Sequence, residues 1–93
     1  MRIISRKRLR DFATKHIDAA GPLDDWYTIA RTAGWRTPAD VKRTFGTASF
    51  VGDVVVFNLG GNRYRLSVNI RYRFHAVYIR RVMTPTEYDD GDL

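Results

Sequence analysis

Residues 54–83 read VVVFNLGGNRYRLSVNIRYRFHAVYIRRVM. The hydrophobic period here is two, and a Gly-Gly-Asn tripeptide interrupts it once. This predicts a strand over residues 54–58, a hairpin loop at Gly60, Gly61 and Asn62, and a second strand over residues 63–72. Residues 73–76 then turn the chain into a third strand over residues 77–83, which Pro85 stops. Alternation sends Tyr64, Leu66, Val68, Ile70 and Tyr72 to one face and Arg65, Ser67, Asn69, Arg71 and Arg73 to the other. In the third strand Val77, Ile79 and Met83 suit the apolar face, with Tyr78, Arg80 and Val82 opposite. Arg81 breaks the alternation: either it snorkels to the sheet edge or a bulge turns it outward.

Upstream of this stretch the period is helical. Residues 2–4 suit a short opening strand and Ser5 an N-cap, after which Leu9, Phe12, Ala13 and His16 recur on one helical face. Arg6, Lys7, Arg10 and Lys15 form the opposite, basic face. Gly21 ends this segment, Pro22 opens a second helix, and Leu23, Trp26, Ala30 and Ala33 make its buried stripe. Thr37, Pro38 and Asp40 read as the cap and first turn of a short third helix ending near Phe45. The expected order is β-α-α-(α)-β-β-β: one α+β domain over residues 1–93, with two to three helices packed on one face of a mostly antiparallel sheet.

Charge is segregated along the chain. The sequence carries 16 Lys and Arg against 10 Asp and Glu, a formal net charge of +6 that marks a binder of polyanions. Arg63, Arg65, Arg71, Arg73, Arg80 and Arg81 all fall between Val54 and Thr86, where there is no acid. Surface strands tolerate scattered arginines, but a solvated face usually mixes both signs. An acid-free arginine face with Tyr64, Tyr72, Phe74 and Tyr78 nearby suits RNA, because guanidinium groups bind phosphates bidentately and stack on bases. The acids of the tail, from Asp89 to Asp92, are expected to be solvated.

Several chemistries are excluded or weakened. There is no cysteine, which removes disulfides, thiol catalysis and cysteine-based zinc sites, and two distant histidines argue against a dedicated metal site. No cofactor is expected. No apolar run reaches the roughly 20 residues of a membrane span, and residues 1–10 are too basic for a signal peptide, so a cytoplasmic protein with no membrane partner is expected. RNA cleavage by its own 2′-OH remains available without metal. It needs a proton acceptor, charge stabilisation at phosphorus and a donor to the leaving 5′ oxygen. Arginine supplies the second readily and the first poorly. His75 has a suitable intrinsic pKa but lies in a predicted turn, and His16 reads as a packing or helix-end residue.

The segments VVFNLGGNRYRLSVNIRY and VYIRRVMTPTEYDDGDL resemble the HigB toxins of type II toxin–antitoxin systems. RIISRKRLRDF, PLDDWY and WRTPADVKRTF resemble the same family in order and spacing. The resemblance implies a RelE-like microbial ribonuclease fold and cleavage of mRNA on the translating ribosome. It also implies neutralisation by a HigA-type helix-turn-helix antitoxin, the complex binding operator DNA. The residues it points to are Arg80 of VYIR, Asn62 and Arg63 of GGNR, Arg65 of YRL, and Tyr88 of EYD. Pro85 stands where the family pattern has a histidine, which leaves a histidine general base without a candidate there.

Together these readings make Arg65, Arg71 and Arg80 the groups that hold the scissile phosphate, with Tyr88 or Tyr78 stacking on a base or relaying a proton. Asn62, Arg63, Arg73 and His75 would add RNA contacts, and Lys7 and Arg10 would meet ribosomal RNA. The competing expectation is a basic module that binds RNA, or receives an acidic antitoxin segment, without chemistry.

Overall fold

A computed structural model of the chain describes residues 1–91 and residue 93. The elements are β1 (Arg2–Ile4), α1 (Lys7–Lys15), a 3-10 turn (Ile17–Ala19), α2 (Ala20–Thr32), α3 (Pro38–Thr44), β2 (Ser49–Val51), β3 (Val54–Leu59), β4 (Tyr64–Arg71), a second 3-10 turn (Tyr72–Phe74), β5 (Ala76–Met83) and α4 (Pro85–Asp89). Five strands form one sheet in the order β1-β5-β4-β3-β2, antiparallel except for the parallel β1–β5 pair. The α+β architecture anticipated from the periodicities is present.

The expected apolar face forms the core. Tyr64, Leu66, Val68 and Ile70 of β4 are buried with Val77 and Ile79 of β5, Val55, Phe57 and Leu59 of β3, and Leu9, Leu23, Trp26 and Ala30 of the helices. Trp26, Trp35 and Phe45 meet Phe57 with ring centroids 5.4, 6.2 and 5.1 Å away, within the range of favourable aromatic pairs. The Met1 ammonium donates to the carbonyls of Ala30, Arg31 and Ala33 at 3.2, 2.9 and 2.8 Å, satisfying acceptors that the end of α2 leaves open.

Local signals explain most of the boundaries. Thr37 and Asp40 close a capping box around Pro38, as their spacing predicts. Ser5, in contrast, is not the N-cap of α1: it takes a left-handed φ of 71° and only its carbonyl accepts, from the Arg8 N–H at 3.0 Å. The first helix also stops earlier than Gly21 suggests. It ends at Lys15, and Gly21 and Pro22 both fall inside the first turn of α2, where no intrahelical N–H is yet required. The short edge strand β2 was not anticipated; it pairs with β3 through a tight turn in which Gly52 has a φ of 60°.

Two departures concern the outward face. Ser67 faces Arg81 while Val68 faces Ile79, so β5 holds one extra residue, Arg80. This bulge resolves the Arg81 misfit by placing Arg80 and Arg81 on the same outer side. Beyond it the expected assignments reverse: Val82 joins the core, and Met83, opposite Arg65, is buried on the outer face. Pro85 does not merely stop the strand. Thr84 and Glu87 form a second capping box, and α4 packs on the outer side of β4 and β5.

Candidate active site

The bulge organises the outer face. Arg80 donates from its guanidinium to the Asn69 amide oxygen at 2.9 Å and to the Leu93 backbone oxygen at 3.4 Å. Asn69 is the cross-strand partner of Tyr78, a residue 40% exposed, and both line the same cleft as Arg80. Arg81 pairs with Glu87 of α4 at 3.0 Å. An open cleft of about 600 Å³ is lined by Arg8, Asn69, Tyr78, Ile79, Arg80, Arg81 and Leu93.

Arg65 and Tyr88 form the adjoining part of the site. Arg65 lies opposite Met83, which makes it a diagonal neighbour of Arg81. Its guanidinium carbon sits 5.6 Å from the centre of the Tyr88 ring, and its nitrogen donates to the Asn62 carbonyl at 2.9 Å. Asn62 itself takes a left-handed φ of 72° in the hairpin, and its side-chain oxygen accepts from Asn58.

Glu87 corrects the expectation of a face without carboxylates. The Thr84 backbone N–H, the Thr84 hydroxyl and Arg81 hold its carboxyl below the usual range, so it is an ionised acceptor and a weak base. Asp89 and Asp90 are exposed, as expected of a solvated tail; Asp92 lies outside the described residues.

Not every predicted residue joins this cluster. Arg71 lies opposite Ala76, about 13 Å of extended chain from Arg80 along β5 and about 20 Å from Arg65 along β4. It cannot share one phosphate with both. Arg73 and His75 are exposed at that same far end, where His75 has a φ of 51° and Arg73 lies over Phe74. Arg63 is drawn to the helical side by Asp18, at 3.0 Å, and Tyr64 donates to the same carboxylate. Lys7 is paired with Asp11 at 3.0 Å, and Arg10 opens onto the α1–α2 side beside Tyr27 and Asp24. His16 stacks on Phe12 with centroids 4.2 Å apart, the packing role its position indicated.

One residue at the site escaped the sequence reading. Arg8 reaches from α1 to the Arg80 carbonyl at 2.8 Å and lines the cleft. The signal was available: Arg8, Phe12 and Lys15 share a helical face distinct from that of Arg6, which lies 3.8 Å over Tyr27.

The family model for HigB toxin, the RelE-like toxic component of a toxin–antitoxin system, matches residues 19–91. The chain belongs to the HigB toxin family. The mRNA interferase toxin HigB of Escherichia coli strain K12 is 29% identical over 92 residues, covering 96% of this chain and 88% of the relative. The proteins called mRNA interferase HigB in Escherichia coli O157:H7 and in Shigella flexneri match to the same extent. Membership in the HigB family brings with it an antitoxin partner. No described helix is long and apolar enough to cross a membrane.

Proposed function

We propose that this HigB-family chain is an endoribonuclease that cleaves mRNA, acting in the cytoplasm on the translating ribosome. The observation that carries the reading is the bulge in β5, which sets two consecutive arginines beside Asn69 and Tyr78 on one open face. The 2′-oxygen attacks the adjacent phosphorus, the bond to the 5′ oxygen breaks, and a cyclic phosphate and a 5′-hydroxyl result. The proton of the 2′-OH leaves with a base and another is delivered to the 5′ oxygen. Arg80 neutralises the charge that accumulates on the non-bridging phosphate oxygens, and its bond to Asn69 fixes its direction in advance, the kind of preorganisation that makes electrostatic stabilisation effective. Arg65 and Arg81 add positive potential, while Tyr78 and Tyr88 offer ring faces on which a base can stack. Asn62 orients Arg65, and Arg71, Arg73 and His75 serve the flanking RNA rather than the scissile phosphate. The antitoxin partner is of the HigA helix-turn-helix type, and operator DNA is met through the complex.

Arg80→Ala is expected to fold as the parent does and to lose growth inhibition; a folded Arg80→Ala protein that stays fully toxic overturns the assignment. Incubating purified protein with programmed ribosomes should yield new mRNA 5′ ends. Retention of RNA without new ends would make the protein a binding module.

A further inference from the structure

We infer that Arg8 is a second phosphate-binding arginine, holding the nucleotide next to the scissile phosphate in a groove between α1 and β5. The inference rests on the ribonuclease reading and extends it to the path of the RNA. Beyond Ile4, β1 ends, so the outer edge of β5 past Tyr78 has no strand neighbour. The space beside it is open, lined by Arg8, Asp11, Phe12 and Lys15 of α1 and by Arg81 and Val82 of β5. This groove and the cleft around Asn69 and Tyr78 share Arg8, Arg80 and Arg81, so the two are continuous around the edge of the strand.

Arg8 stands at their junction. One nitrogen donates to the Arg80 carbonyl at 2.8 Å, which anchors the bulge residue to α1. A guanidinium carries five N–H donors in a rigid fork, so others stay available to a phosphate after that bond is made. The carboxylate lining the groove, Asp11, is engaged by Lys7 at 3.0 Å, Arg81 is paired with Glu87, and Arg8, Lys15 and Arg80 leave the passage positive. A strand whose scissile phosphate lies at Arg80 is therefore drawn past Arg8 toward Lys15. Phe12 supplies an apolar wall for a base. In the same movement Arg8 acts as a positioning residue for Arg80.

The test is binding of a single-stranded 2′-O-methyl RNA oligonucleotide, which cannot undergo 2′-OH attack, measured over a range of salt concentrations. Arg8→Gln keeps a donor for the Arg80 carbonyl and removes the charge. It should bind about tenfold more weakly, the low end for a lost charge-assisted hydrogen bond. Its plot of log affinity against log salt should be shallower by about 0.7, the contribution of one phosphate contact to a single strand. Arg31→Gln, on α2, should change neither quantity. Arg8→Lys keeps the charge and should retain the parental slope, which also covers the case in which Arg8→Gln fails to fold. Parental affinity and slope in Arg8→Gln would overturn the inference, as would weaker binding with an unchanged slope or a reduced slope in Arg8→Lys. If these results accompany loss of activity in Arg80→Ala, the ribonuclease reading survives; if Arg80→Ala remains active, that reading fails first.

Discussion

Arg80 is the residue by which β5 exceeds its partner strand, and the consequences can be followed one side chain at a time. Removing it leaves Ala76, Val77, Tyr78, Ile79, Arg81, Val82 and Met83, which alternate outward and inward without a break. Deletion of Arg80 should therefore give a chain that unfolds cooperatively within a few degrees of the parent, yet cleaves no RNA. Deletion of Val82 should fail to fold, because it turns Arg81 into the core beside Leu66. Circular dichroism melts of the two deletions check this; equal damage from both would mean that the bulge is not an insertion in a regular ladder. Alternation in a single strand exposed Arg81 as a misfit but could not say where the extra residue lay. A bulge belongs to a pair of strands, and its position is set by the partner's register. For the same reason the sequence led to the wrong faces for Val82 and Met83; helical spacing groups Arg8 with Phe12 and Lys15, but its bond to a carbonyl 72 residues away is set by the tertiary fold alone.

Among the elements, α4 decides how the outer face is closed. Its start carries the same signature as α3, a threonine, a proline and an acid three residues after the threonine, so the helix was legible; the acidic run behind it drew attention to solvation instead. By contrast β2 is three exposed residues, too short for a periodicity. Glu87 links α4 to the site through Arg81, and its carboxyl is held below its ordinary value of 4.5 by Thr84 and Arg81. A depressed carboxylate pKa means that the folded state binds fewer protons than the unfolded one. Its contribution to stability is complete above that ordinary value and is lost as pH falls through the folded-state value. Asp40 and Asp18 are depressed too, so the parent should lose thermal stability progressively below pH 4.5. Glu87→Gln preserves the capping geometry without the charge. Its melting temperature should lie below the parent's at neutral pH and converge on it in acid. Two parallel curves would show that Glu87 does not contribute through its charge.

Across the whole molecule, the two faces of the sheet have unequal duties. The helical side holds the aromatic and aliphatic cluster around Leu66, Phe57 and Trp26, while the outer side buries little beyond Val54, Val56, Ser67, Ala76 and Met83. Burial of apolar surface is the main favourable term in folding, so the helical side carries most of the stability and frees the outer side to hold like charges together. A chain of this size has only about 5–10 kcal/mol in hand. Leu66 is fully buried, and Leu66→Ala should cost about 3 kcal/mol, roughly a third to more than half of that margin, through lost transfer energy and the cavity left behind. Arg71 is exposed on the outer face with no ion pair among the described residues, and Arg71→Ser should fall within about 0.5 kcal/mol of the parent. Urea unfolding of both variants tests the division. A Leu66→Ala midpoint close to the parental one would mean that the core is not where the stability lies. A large loss in Arg71→Ser would mean that the charged face is part of the scaffold rather than a surface carried on it.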